Sequence, residues 1–113
     1  MEYVWGGSSP ETGFDCSGFV CWSINHSGYG HVGRTTANGL LAKCTRIGSG
    51  QAQPGDLIFF QGTYATKGAS HVGIYIGGGR MIHCGNPIKI SNVNTAYWNS
   101  HFLTYGRLKD AYR

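Results

Sequence analysis

The run His71-Val72-Gly73-Ile74-Tyr75-Ile76-Gly77-Gly78-Gly79-Arg80-Met81-Ile82-His83-Cys84 reads as two strands around a glycine turn. Side chains of period two lead into Gly77 to Gly79 and resume after it, which is the pattern of a β-hairpin. Folding about Gly78 sets His83 opposite Gly73, on the face that also carries His71. The two imidazoles become diagonal neighbours with backbones about 7–8 Å apart, and the missing side chain of Gly73 leaves the space between them open. Taken singly, each histidine reads as an ordinary hydrogen-bonded strand residue. Placed together on one hairpin face, they form a candidate pair.

Working outward, Pro54-Gly55-Asp56 introduces the strand Leu57-Ile58-Phe59-Phe60, and residues 88–91 and 104–108 add further strands. Residues 96–100 form a loop or short helix between those two. On the N-terminal side, a glycine-punctuated loop over residues 3–13 delivers the chain to Phe14 and Asp15. Asp15 is a good N-cap, and Cys16, Phe19, Val20 and Ile24 recur at helical spacing until Ser27-Gly28 ends the pattern. A second short helix is expected after Thr35 or Thr36, running through Leu40, Leu41 and Lys43 before the turn at residues 48–50. The fold class that follows is α+β, with an N-terminal helix packed on an antiparallel sheet of about five strands.

The chain of 113 residues, with 41% hydrophobic and 12% charged residues and 19 glycines, suits a single turn-rich domain spanning 1–113. Its apolar runs are strand-sized, so neither a membrane span nor a secretory h-region is expected within it. A formal charge of +4 suits an anionic wall polymer, although an ordinary soluble surface is the plainer reading. The basic residues are scattered from Arg34 through Lys67 and Arg80 to Arg113, which argues against nucleic acid. Cysteines at 16, 21, 44 and 84 lack paired C-x-x-C spacing, so a structural zinc site is not expected, and the thiol chemistry set out below uses neither a metal nor an organic cofactor. Cys21 and Cys44 read as small buried hydrophobes, and Cys84 faces away from His83 into packing.

Cys16 occupies the first turn of its helix, where the helix N-terminus and a nearby imidazole stabilise a thiolate. The hairpin supplies that imidazole as His71, with His83 to hold its ring. Nucleophile, base and orienter make a triad by role, with an imidazole as the third member.

Four blocks together resemble the NlpC-type cell-wall peptidases: Tyr3-Val4-Trp5-Gly6-Gly7, Asp15-Cys16-Ser17-Gly18-Phe19-Val20, Pro54-Gly55-Asp56-Leu57 and Ser70-His71-Val72-Gly73-Ile74-Tyr75-Ile76-Gly77. The resemblance covers nearly the whole chain. It implies a papain-like fold whose nucleophile helix packs on the sheet that bears both histidines, and His83 as the third polar residue. It also implies hydrolysis of the γ-D-glutamyl bond to a diamino acid, meso-diaminopimelate or L-lysine, in peptidoglycan stem peptides. Cys16 would attack the carbonyl and His71 would protonate the departing amine. The Cys16 N–H and the Tyr3 hydroxyl would receive the oxyanion, Tyr3 otherwise packing under the glycine loop, and Trp5 reads as packing. By the same resemblance Asp15 and Ser17 line the subsite for the free amino end of an L-Ala-γ-D-Glu stem, and Thr36 lies near it. Asp15 reads equally as an N-cap alone. His26, His31 and His101 read as structural or solvent-exposed.

Two rival readings stand beside the endopeptidase: an N-acetylmuramoyl-L-alanine amidase on a similar fold, and a non-catalytic wall-binding module. The intact set of Cys16, His71 and His83 argues against the second. A redox or metal role for the cysteines is more remote. A start so close to the first motif suggests a monomeric domain excised from a longer hydrolase, secreted or wall-associated, with its export signal elsewhere. Residues 94–102 resemble relatives from conjugative elements of Gram-positive bacteria, which often follow a glycan-cleaving domain.

Overall fold

The computed structural model describes residues 8–9, 13–14, 16–27, 30–62, 68–84 and 88–112. Two short strands, β1 (Ser8–Ser9) and β2 (Gly13–Phe14), pair antiparallel as a separate ribbon. Helix α1 (Cys16–Ser27) follows, then α2 (Ala37–Ala42), β3 (Cys44–Ile47), β4 (Leu57–Gln61), β5 (Ala69–Gly77), β6 (Arg80–Cys84), β7 (Ile88–Asn92), α3 (Ala96–His101) and β8 (Phe102–Leu108). The main sheet has six antiparallel strands in the order β3-β8-β4-β5-β6-β7. One more strand is present than the sequence pattern predicts.

The additional strand is β3, in the stretch between the end of the second helix and the turn at residues 48–50. Cys44-Thr45-Arg46-Ile47 pairs only with β8, and its two middle residues are exposed. An edge strand with one buried end lacks the full alternation that identifies a strand in sequence. Helix α2 begins where expected, with the Thr36 side chain accepting a hydrogen bond from the Gly39 N–H at 3.1 Å.

Strand β4 is apolar without alternation because both faces of the sheet are covered. Leu57 and Phe59 join the core under α1 and α2, with Val20, Leu40, Val72 and Cys84. Ile58 and Phe60 join a second core on the opposite face, with Met81, Val93, Tyr105 and the partly buried Trp98 of α3. Helix α1 is embedded by its N-terminal half, since every residue from Cys16 to Cys21 is buried.

The hairpin has the expected register at Ile74 opposite Ile82 and Tyr75 opposite Met81, and next to the turn it shifts by one residue so that Gly77 pairs with Arg80. Its turn residues Gly77, Gly78 and Gly79 have φ of 85°, 63° and 73°, a region that only glycine enters without strain. An ion pair closes the far end of the sheet. The buried Asp56 carboxylate accepts from Arg107 Nε at 2.9 Å and Nη2 at 2.8 Å, and from the Gln53 N–H at 2.8 Å. The Pro54-Gly55-Asp56 block therefore ties the start of β4 to β8.

Candidate active site

Cys16, the first residue of α1, is only 3% exposed, and its Sγ lies 3.9 Å from the backbone oxygen of Ser70. Ser70 is the residue immediately before His71. Helix α2 holds this end of β5, because Asn38 Oδ1 accepts the Ala69 N–H at 2.8 Å. The close approach needs Gly68, whose φ is +77° and where a Cβ would come within 2.5 Å of Asn38 Oδ1.

A β-bulge then re-aims the strand. Phe60 pairs with His71 and Gln61 with Ala69, so Ser70 is an extra residue on β5. In a regular strand His71 would share the α1 face with Ala69, two residues before it. Instead it lies beside Phe60, on the opposite face. Cys16 belongs to the first core, so thiol and imidazole come to β5 from its two sides at the bulged residue. The sequence pattern gave no sign of this irregularity.

His71 Nε2 and His83 Nδ1 are 2.9 Å apart, and the rings stand edge to face with centroids 5.0 Å apart. The diagonal pairing expected from the hairpin is thus realised as a direct hydrogen bond. Gly73 is the reason it fits, since a Cβ there would meet Met81 Sδ at 2.9 Å and His83 Cβ at 3.2 Å. On its far side His83 Nε2 lies 2.9 Å from Ser91 Oγ on β7. Trp98 stacks on His71, centroids 5.3 Å apart and planes 25° apart, and presents its edge to His83. Neither Ser91 nor Trp98 is singled out by sequence reasoning. Ser91 sits on an irregularly patterned edge strand, and nothing local to Trp98 marks it as a neighbour of His71.

Burial lowers the pKa of both rings well below the ordinary histidine value, assisted at His71 by His83 and at His83 by Lys89. Both are neutral at pH 7. A neutral His71 can accept a proton, and its Nδ1 is the ring nitrogen not engaged by His83.

Ser17 is buried beside Cys16, and Arg34 Nη1 reaches its Oγ at 3.3 Å while also donating to the Thr35 carbonyl. Arg34 is a charged group next to Ser17 that sequence reasoning missed. Its position in Arg34-Thr35-Thr36 was the available signal. Thr36 caps α2 as described above. Tyr3, Trp5 and Asp15 lie outside the described residues.

Cys16, Cys21, Cys44 and Cys84 are buried thiols, none of them in a disulfide among the described residues. Cys44 has its thiol pushed up to about 12, mainly by burial and then by Asp56, so it stays protonated. Cys84 packs with α1 in the first core, on the opposite side of β6 from His83. Of the other histidines, His26 stacks on Trp22 and His101 Nδ1 lies 2.8 Å from the Gln61 carbonyl oxygen. Among the described residues, no group of three His, Cys, Asp or Glu side chains is arranged to hold a metal.

A buried thiol at a helix start, set against an antiparallel sheet whose bulged strand and its neighbour carry linked imidazoles, defines a papain-like α+β domain. The chain belongs to the NlpC/P60 family, whose model matches residues 1–107. It is 44% identical over 110 residues to the bifunctional muramidase/DL-endopeptidase CwlT of Bacillus subtilis (strain 168), covering 96% of this chain and 33% of that protein. The structure superposes with a TM-score of 0.90 on an NLP/P60-family protein, described as similar to lipoprotein, from Staphylococcus aureus subsp. aureus Mu50. That alignment has 38% identity and covers 96% of this chain and 36% of the other. RipD of Mycobacterium tuberculosis, a non-catalytic NlpC/p60 domain protein adapted to peptidoglycan binding, superposes with a TM-score of 0.65 at 26% identity, over 87% and 67% of the two chains. The chain thus spans about a third of the length of CwlT.

Proposed function

We propose that this domain is a cysteine peptidase of the bacterial cell wall that hydrolyses the γ-D-glutamyl bond to a diamino acid in peptidoglycan stem peptides. The hydrogen bond between His71 and His83, together with the Cys16 sulfur 3.9 Å from the backbone oxygen of Ser70, the residue before His71, is the observation that carries this reading. The DL-endopeptidase activity in the name of CwlT supports the bond class.

In the first half-reaction Cys16 gives its proton to Nδ1 of His71 as its sulfur bonds to the stem carbonyl carbon. The carbonyl electron pair moves onto oxygen. The oxyanion is met by the Cys16 N–H at the helix start, with the Tyr3 hydroxyl as second donor. Collapse breaks the C–N bond, and the diamino acid leaves with the proton held by His71. Water then attacks the thioester, passing a proton to His71. The sulfur departs, taking that proton back from His71, and the stem is released as its carboxylate with one proton lost to solvent. Asp15 and Ser17, with Thr36 nearby, receive the amino end of the stem, and Arg34 holds the Ser17 hydroxyl. The substrate places the domain at the cell wall.

Mass spectrometry of a digest of defined muropeptides tests the reading. Products cut after γ-D-glutamate, abolished in Cys16→Ala, are expected. Release of whole stems carrying both alanine and glutamate would identify an amidase instead. Binding to peptidoglycan without turnover, unchanged in Cys16→Ala, would place the domain with non-catalytic members such as RipD. Cys44, buried and with its thiol pKa raised to about 12, stays unmodified in a parallel alkylation experiment.

A further inference from the structure

We propose that Ser91 is a positioning residue that holds His83 in the tautomer that leaves His71 Nδ1 open to the thiol proton and lets His71 keep donating to His83 once it has taken it. This rests on the catalytic reading given above. His71, His83 and Ser91 form a line of three hydrogen-bonding groups with a fixed number of protons between them. His71 Nε2 faces His83 Nδ1 at 2.9 Å, and His83 Nε2 faces Ser91 Oγ at 2.9 Å.

Only one proton fits between two facing ring nitrogens. Once His71 has taken a proton at Nδ1, both of its nitrogens carry hydrogen, and Nε2–H must donate to His83. His83 Nδ1 is then the acceptor, and the single hydrogen of its neutral ring must sit on Nε2. That hydrogen points at Ser91. His83 is 2% exposed, so an Nε2–H without an acceptor is a buried orphan donor, a group that folded proteins rarely tolerate. The Ser91 oxygen removes this cost.

The opposite tautomer would be inhibitory. With hydrogen on His83 Nδ1, His71 would have to accept at Nε2 and carry its own hydrogen at Nδ1, which closes the nitrogen the thiol needs. A serine hydroxyl differs from a carboxylate here because it can accept from His83 without adding a charge that would raise the basicity of the pair. Ser91 lies on β7, opposite Met81 and diagonal to His83, so its position is set by the sheet register.

Long-range nitrogen–proton correlation spectra of the folded protein at neutral pH read the tautomer directly. The expected result for the wild type is His83 protonated at Nε2 and bare at Nδ1. Ser91→Ala should shift His83 toward the Nδ1-protonated form and lower kcat on the order of tenfold, the equivalent of one hydrogen bond, with KM little changed. Ser91→Thr, which keeps the hydroxyl, should restore both tautomer and turnover. Nδ1-protonated His83 in the wild type would overturn the proposal, as would full turnover in Ser91→Ala or a loss that Ser91→Thr fails to restore. The tautomer is read without substrate, so failure here is distinct from failure of the peptidase reading, which full turnover by Cys16→Ala would reveal.

Discussion

Trp98 lies flat over His71, centroids 5.3 Å apart, and meets His83 edge-on at the same separation. Both imidazoles are thereby enclosed between an indole from α3 and the sheet. Burial is the largest cause of the lowered pKa of His71. Removing the cover should therefore reverse part of it. Trp98→Ala is expected to move the acid limb of the kcat/KM profile toward the ordinary histidine value near 6.5, while Trp98→Phe should leave it nearly in place. An unmoved limb in the alanine variant would mean that the sheet alone excludes water from the ring.

On the proposed mechanism His71 must be unprotonated to take the thiol proton, and its pKa is lowered. Activity should accordingly persist below pH 6.5, where a solvent-exposed histidine base would already be failing. The same shift links stability to pH. Each ring is held neutral in the folded state, whereas in the unfolded chain it gains a proton near pH 6.5. Its stabilising contribution is complete above that pH and declines as the pH falls toward the depressed native value. The slope is no more than about 1.4 kcal/mol per pH unit for each ring. Urea unfolding between pH 7.5 and 5 measures it, and the double variant His71→Asn/His83→Asn should flatten the dependence over that interval.

The fold was legible from periodicity wherever one element carried its own pattern. Helix α1 and the β5–β6 hairpin have the expected places, and the hairpin has the expected register, because the glycine turn and the alternation specify them locally. The pairing of His71 with His83 followed from that register. What escaped was set by distant segments. Strand β3 takes its conformation from β8, which follows it by some sixty residues of chain. The Ser70 bulge arises from the pairing of β5 with β4, and no residue near Ser70 signals it. Trp98 and Ser91 reach the histidines from elements whose own sequences carry weak patterns, so their approach is a tertiary outcome rather than a local one.

Away from the histidines, Asp56 and Arg107 bind β4 to β8 through a two-point ion pair whose carboxylate is 3% exposed. Arg107→Ala would remove both guanidinium contacts from a buried carboxylate that still accepts from the Gln53 N–H. Loss of one partner of such a pair costs about 3 kcal/mol, more than the pair itself contributes over an apolar replacement. Chemical denaturation should show this loss. Turnover measured well below the unfolding transition should stay close to wild type, since the pair lies at the end of β4 away from Phe60 and His71.

Gly73 offers the sharpest separation of catalysis from stability. It has an extended backbone conformation open to any residue, so its replacement by alanine is tested by space alone. The new methyl would stand 2.9 Å from Met81 Sδ and 3.2 Å from His83 Cβ. The Met81 thioether is flexible and can swing aside. His83 Cβ is fixed to the backbone of β6 and must move by a few tenths of an ångström, carrying the imidazole away from His71. Overpacking of this kind costs about 1–3 kcal/mol of stability. Catalysis should suffer more, because displacement of a positioning ring by even a fraction of an ångström is expected to lower kcat by about tenfold. Steady-state kinetics beside a thermal melt distinguish the effects: a folded Gly73→Ala protein with unaltered kcat would show that the contact between the two imidazoles is not needed for turnover.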